Sequence, residues 1–369
     1  MLAELGLTRV INVSGAETGY GASPVCAEVL AAVTALGPHW ADMRELRRAA
    51  SAAIASAFEC EAGAVTHCSA AGIAMAIAGC MTGEDQALIH QLPDTTGLKN
   101  AVVLQCGHRI DYGAPIRQNI TLTGARVVEI GTDTRCVPAD LIAALTPQTA
   151  AALFVVSHHT APSGMIDVAT FCRLCHDAGV PAIVDAAAEP DIRPFLSAGA
   201  DLVITSVHKR FAGLTSAIVA GKAALVRACV AQESGIGRPM KAGKEAVIGV
   251  IAALERWRLT DPAVIHAGLA ARLARGQAGL DEVPGLTANI VPDAVSDRFS
   301  RLHVAVQPEV AGLTAATLAA RLRTGSPAII VREAPTPELL QLDFRHVSDE
   351  MVDTVLAAIT VAVAATRTG

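Results

Sequence analysis

Apolar positions in the middle of the chain fall in short runs of four to six residues, separated by segments with helical spacing. Ala101–Gln105 and Arg126–Ile130 read as strands, 138–145 as a helix opened by Pro138, and 151–156 as a buried strand. A helix is expected over 166–178, stopped by Gly179, then strands over 181–185, 201–205 and 216–220, with a short helix running through Phe195. Strands apolar along their whole length and alternating with helices build a mostly parallel sheet covered on both faces. Two long helical segments follow, Lys244–Leu259 and 262–278. The remainder, 285–369, reads as strand, strand, helix (313–322), strand (328–332), strand (339–343) and helix (349–364), a separate α+β unit. The expected division is an N-terminal segment 1–40 packing on the small domain or on a partner subunit, a large domain 41–245, and linker helices plus small domain 246–369.

Composition narrows the class. The chain is 52% apolar, which supports a sizeable core, and only 3% aromatic, which leaves little base-stacking surface. A net charge of −6 argues against a nucleic-acid partner, because such binding needs a basic stripe to displace counterions. The nine cysteines are scattered and odd in number. Cys172-Arg173-Leu174-Cys175 is formally a CxxC, but it sits mid-helix with only His176 beside it and no second pair, so core thiols in a reducing, cytoplasmic setting are expected. No signal peptide is expected at the N-terminus. The uncharged stretch 64–83 contains Thr66, His67, Ser69 and Thr82, too polar for a membrane span, and is expected as a buried helix.

In open α/β sheets, chemistry gathers beyond the carboxyl ends of the strands. Asp185 ends one expected strand, and Ser206-Val207-His208-Lys209-Arg210 follows the next. A lysine at the mouth of an apolar sheet loses charge by desolvation and becomes a nucleophile toward an aldehyde. A carboxylate at the neighbouring strand end is what a pyridine ring nitrogen needs for protonation. The competing readings are a surface lysine beside Arg210 and a helix N-cap at Asp185. Residues 66–72 precede a helix of small residues, where Ser69, Ala70 and Gly72 form a candidate phosphate turn. Ser206 and His208, flanking the lysine, are further candidate cofactor contacts. His108, after the Ala101–Gln105 strand, is a candidate to lie over a cofactor ring. His159, in Ser157-His158-His159, is a candidate for the substrate. No Asp, Glu or Cys stands at ligand spacing to these histidines, so no metal is expected. In the small domain, Arg332 and Arg345 are candidate carboxylate clamps, with a structural ion pair as the alternative.

These segments resemble the fold-type-I pyridoxal-phosphate (PLP) enzymes, and within them the branch containing bacterial selenocysteine synthase and D-glucosaminate-6-phosphate ammonia-lyase. The resemblance runs over most of the chain: Val10-Ile11-Asn12-Val13-Ser14-Gly15, Asp42-Met43-Arg44-Glu45-Leu46, Val127-Val128-Glu129-Ile130-Gly131, Ile183-Val184-Asp185-Ala186-Ala187-Ala188-Glu189, the Lys209 segment with Ala217-Ile218-Val219-Ala220-Gly221-Lys222, and Ser326-Pro327-Ala328-Ile329-Ile330-Val331-Arg332. It implies an aspartate-aminotransferase-like α/β fold with a seven-stranded, mostly parallel sheet and a smaller α+β domain. It implies a Schiff base between PLP and Lys209, Asp185 opposite the pyridine nitrogen, Ser69, Ala70 and Gly72 at the phosphate, and a homodimer or larger homo-oligomer. The chain departs from selenocysteine synthase in starting almost at the family core and in its acidic balance, so a tRNA substrate is not expected. The expectation is a lyase acting on a polar amino acid, sugar-derived or of D configuration, releasing a β-substituent and ammonia to leave a keto acid. The alternatives are a racemase or epimerase, with an acid from His108, Cys106 or Tyr112, and a non-catalytic protein that binds PLP or a metabolite.

Overall fold

After β1 (Val10–Asn12), the chain lays down seven strands that form one sheet: β2 (Ala62–Thr66), β3 (Ala101–Gln105), β4 (Arg126–Ile130), β5 (Thr149–Val155), β6 (Ala182–Asp185), β7 (Leu202–Ser206) and β8 (Ala217–Gly221). The computed structural model describes residues 4–161, 163–189, 191–293, 299–334 and 336–367. The sheet order is β2-β8-β7-β6-β5-β3-β4. The stretch from β7 to β4 is parallel throughout, and β8 is antiparallel to both β7 and β2. Only residues 207–216 separate β7 from β8, fewer than a parallel crossover requires, so the chain turns back on itself.

Inside the sheet, side chains alternate between two cores. Ala152, Phe154, Ala182, Val184, Val203, Ile218 and Ala220 face one side, where Ile54, Phe58, Phe171 and Leu254 meet them. Ala151, Leu153, Ile183, Leu202, Ile204 and Val219 face the other, under Ile73, Met75 and Ile77 of the helix Ser69–Thr82. Both faces are covered, so the strands carry no polar alternation and read as plain apolar runs. Burying each large side chain such as Phe171 contributes about 2–3 kcal/mol. Cys172 and Cys175 lie in the first core, where burial pushes both thiols up to about 12. His176 turns instead to Asp201, with Nε2 3.0 Å from Oδ2. Among the described residues no helix is long and apolar enough to cross a membrane.

The stretch 64–83 is not one helix: β2 occupies its start and the helix Ser69–Thr82 the rest. That helix is built to approach its neighbours closely. A Cβ on Gly79 would fall 2.8 Å from the backbone C of Ala228 and the backbone N of Cys229, on helix Ala223–Ala231. Gly79→Val should therefore lower the denaturation midpoint, costing about 2–3 kcal/mol. Gly268→Ala, at a helical glycine whose Cβ would meet only Arg272 Nη1 at 3.6 Å, should hold or raise it by up to about 1 kcal/mol. Urea titration of both variants checks the pair.

The chain divides into two units, Val25–Leu259 and a second made of Met1–Pro24 with Thr260–Gly369. These boundaries differ from those expected at 40/41 and 245/246. Helix Ala27–Leu36 packs on helix Lys244–Leu259, and both belong to the sheet unit. Only the first 24 residues join the smaller unit, where β1 pairs in parallel with β11 (Ala328–Ile330). The rest of that unit is an antiparallel sheet of β9 (Leu286–Pro292), β10 (Ser300–Val306), β12 (Arg332–Glu333) and β13 (Leu339–Leu342), in the order β12-β13-β10-β9. Its core includes Leu273, Leu302, Leu318, Leu342, Phe344 and Val355. The single strand expected over 328–332 is two, because Ala328–Ile330 pairs with β1 while Arg332–Glu333 pairs with β13.

Candidate active site

The register across the sheet aligns the strand ends that carry chemistry. Val155, Asp185 and Ile204 lie side by side on β5, β6 and β7, and Ser206, Ala217 and Thr66 lie side by side on β7, β8 and β2. Lys209, in the short helix Val207–Arg210 that leaves β7, therefore stands between the turn after β2 and Asp185 at the end of β6. The loop behind Asp185 is stitched to β7: Ala186 N–H donates to Ile204 O at 2.9 Å, Ser206 N–H to Ala187 O at 3.2 Å and Thr205 Oγ1 to Glu189 O at 2.7 Å. Both ends of the lysine–carboxylate pair are thus anchored to backbone.

Burial dominates the electrostatics here. Asp185 is only 5% exposed, and desolvation pushes its carboxyl up to about 6 against the opposing pull of the Lys209 charge and a 3.3 Å bond from Ala187 N–H. The half-buried Lys209 amine is held below its ordinary value, first by desolvation, with Asp185 raising it and the Arg210 charge lowering it. A carboxylate still ionised at neutral pH and an amine eased toward its neutral form suit a pyridinium nitrogen and an aldehyde. His208 is likewise lowered, by burial and then by the charge of Lys209.

The turn after β2 supplies donors for an anion. The first N–H groups of the helix at Ser69, Ala70 and Ala71 have no partner within the helix by its geometry. Gly72 plays a different part from the one expected: its N–H is spent on Cys68 O at 3.0 Å. A Cβ there would press to 3.1 Å on Val219 and 3.2 Å on Ile204, so the glycine seats the helix on β7 and β8. Beside this turn runs a segment that carried no periodic signal. His67 N–H donates to Met240 O at 3.0 Å, and Lys241 bridges to Thr66. Lys241 is exposed and, among the described residues, makes no ion pair. A helix start, a lysine amine, an adjacent cation and a buried carboxylate together form a donor set that fits PLP.

Other candidates are placed differently. His108 is 3% exposed, its Nδ1 accepts the Val155 N–H at 3.1 Å, and its ring stands edge-on to Phe154. Burial lowers it to about 4, so it is neutral with its proton on Nε2. Its bond to Val155 braces the end of β5. The aromatic side chain that reaches the site is Tyr112, 37% exposed and bonded by Asn119 Nδ2. Its phenol, pushed up to about 12 by burial, also feels the charges of Asp185 and Cys68. Ser206 has no exposed surface, and its Oγ pairs with His208 Nδ1 at 3.3 Å. His159 is exposed, its ring tilted against that of His158 with centroids 4.1 Å apart, in a loop tied down by Ala161 N–H to Gly107 O at 2.9 Å.

In the smaller unit, Arg345 makes a structural pair, while its Nη1 is buried without a hydrogen-bond partner among the described residues and so still suits a clamp. Its guanidinium is held by both oxygens of Asp343 and lies 3.6 Å over the Phe299 ring, with the side chain 11% exposed. Arg332 pairs with Glu17 at 3.1 Å and stays 28% exposed, so it keeps its candidacy. Arg109 and Arg117 converge on Glu129, and Arg44 binds Asp42.

No protein-family model matches the chain. It is similar to D-glucosaminate-6-phosphate ammonia lyase of Salmonella typhimurium (strain 14028s / SGSC 2262), 35% identical over 355 residues that cover 96% of this chain and 95% of that protein. It is also similar to a 5'-C-glycyluridine monooxygenase-decarboxylase of a Streptomyces species, 36% identical over 331 residues, 89% of this chain and 83% of that one. A solved structure of D-glucosaminate-6-phosphate ammonia-lyase superposes with a TM-score of 0.93 at 34% identity, covering 99% of this chain and 98% of that one. An aspartate aminotransferase from Thermus thermophilus shares the fold at a TM-score of 0.54 and 13% identity over 97% of this chain and 99% of that one.

Proposed function

Because the chain belongs to the fold-type-I PLP enzymes, in the branch of D-glucosaminate-6-phosphate ammonia-lyase and selenocysteine synthase, and is a PLP-dependent lyase, we propose that it removes a β-hydroxyl and the amine from a polar, sugar-derived amino acid. The observation that carries this reading is the Lys209–Asp185 pair, set in a chain that matches the ammonia-lyase along almost its whole length. PLP, when bound, supplies an electron sink for charge developing at the substrate α-carbon. Lys209 Nζ holds the cofactor in the resting enzyme and, once released, accepts the α-proton. Asp185 keeps its negative charge opposite the ring nitrogen and holds a proton there. The start of helix Ser69–Thr82 takes the cofactor phosphate, and Lys241 offers a cation beside it. Tyr112, in the loop after β3, is close enough for its phenol to feel the Asp185 charge. The hydroxyl leaves as water and water returns in hydrolysis, so the net products are a keto acid and ammonium.

The test is turnover of D-glucosaminate 6-phosphate and its unphosphorylated form by PLP-loaded protein. Keto acid and ammonium should appear in a one-to-one ratio. A PLP-loaded preparation that releases neither from any β-hydroxy amino acid would sink the reading.

The 36% identity to a monooxygenase-decarboxylase favours a second reading, loss of the carboxylate with consumption of oxygen. An oxygen electrode separates the two, since elimination consumes none. Solvent deuterium entering the α-position without keto acid would point to a racemase instead. We also take a second copy of this chain as its partner: helix Ala27–Leu36 buries only Val29, Leu30 is 51% exposed, and Trp40 beyond it is fully exposed.

A further inference from the structure

Arg210 follows the cofactor lysine directly in the four-residue helix Val207–Arg210. Its Nε–H donates to the carbonyl of Ala188, in the loop that leads away from Asp185. Three backbone and hydroxyl bonds already tie that loop to β7, from Ala186, Ser206 and Thr205. Arg210 is the side chain that joins the loop to the lysine's own helix. A half-buried guanidinium placed this way is an extended cation beside an amine that must lose its charge to react.

We propose that Arg210 is a positioning residue for the site: it ties the lysine's turn to the loop behind Asp185, and its fixed charge, set against that of Asp185, favours the neutral, nucleophilic form of the Lys209 amine. The inference rests on reading Lys209 as the cofactor lysine. Only the neutral amine carries a lone pair. In capture, Nζ adds to the PLP aldehyde carbon, the C=N bond replaces C=O, and the oxygen leaves as water. The charges around the amine are Asp185 from β6, which favours the ammonium, and Arg210 from its own helix, which opposes it; the buried His208 beside it has its own proton opposed by Lys209 and by His67 of the turn after β2. Removing the guanidinium leaves burial alone to oppose Asp185, so the amine holds its proton to higher pH.

The experiment is recombination of PLP with the full-length apo-protein across a pH series, read by the visible absorbance of lysine-bound cofactor. Arg210→Met should raise the pH midpoint of capture by about half to one unit, slowing capture about three- to tenfold one unit below the wild-type midpoint. Arg210→Gln, which keeps a donor for Ala188 but no charge, should shift likewise and serves if the Met variant folds poorly. Arg210→Lys, which keeps the charge, should stay close to wild type. An unmoved midpoint in the Met and Gln variants, or an equal shift in all three, overturns the inference while leaving the cofactor assignment standing. Absence of the visible band from the wild-type protein overturns the assignment of Lys209 itself, and this inference with it.

Discussion

Lys209→Ala should erase the visible absorbance of lysine-bound PLP and cut turnover by at least about 10³-fold. The two roles proposed for Lys209 end together, since the same nitrogen is assigned both to hold the cofactor and to carry the α-proton. The fold should survive: Lys209 sits half-buried in a single helical turn whose packing comes from its neighbours Val207 and Phe211, both buried. The amine's desolvation cost also disappears with it. PLP should still bind through its phosphate and ring, more weakly and with the spectrum of the free aldehyde. Absorbance, circular dichroism and initial rates on one preparation check this. A variant with a wild-type spectrum, or with turnover within tenfold of wild type, would move the Schiff base elsewhere.

Asp185→Asn separates function from stability. Turnover should fall by about 10²–10³-fold, since a neutral amide cannot hold the ring nitrogen protonated. The apo-protein should move the other way at alkaline pH. In the fold this carboxyl titrates near 6, against 3.8 for the unperturbed group. A raised folded value means that its contribution is fully present below about pH 4 and is lost as pH rises through 6. At pH 8 the ionised, buried Asp185 therefore costs about 3 kcal/mol that asparagine avoids. Urea midpoints of apo Asp185→Asn should exceed wild type at pH 8 and converge with it near pH 4. The same variant should capture PLP at lower pH than wild type, because losing the anion lets the Lys209 amine deprotonate more readily. A buried carboxylate kept at such a cost, one strand from a lysine, is the mark of a working site rather than of a scaffold.

Much of the large unit is legible from pattern because its strands are buried on both faces. Runs such as Ala182-Ile183-Val184 end at residues proposed to carry chemistry, and the register places Asp185 at its strand end with the Lys209 turn one strand over. β2 escapes such reading. Ala62-Gly63-Ala64 lacks a β-forming signature, and the glycine is there because a Cβ would fall 2.1 Å from the Ile54 side chain, on the helix crossing behind. Lys241 escapes for a similar reason: only the backbone bridge to Thr66 brings it beside the helix start.

The chain's own order of residues determines the α/β class, the strand ends that matter, and the lysine and carboxylate proposed to grip one flat cofactor. These follow from periodicity and from the rule that parallel strands deliver their last residues to one edge. Which neighbours those residues take is settled only in three dimensions. His108 reaches the right edge, but Val155 N–H and the Phe154 ring claim it, while Tyr112, four residues on, faces the site. Ser206 turns to His208, Arg345 to Asp343, and Arg210 to the carbonyl of Ala188. A buried polar group must find a partner or forfeit its desolvation energy. That partner comes from whichever element folds beside it, a choice that no spacing along the chain encodes.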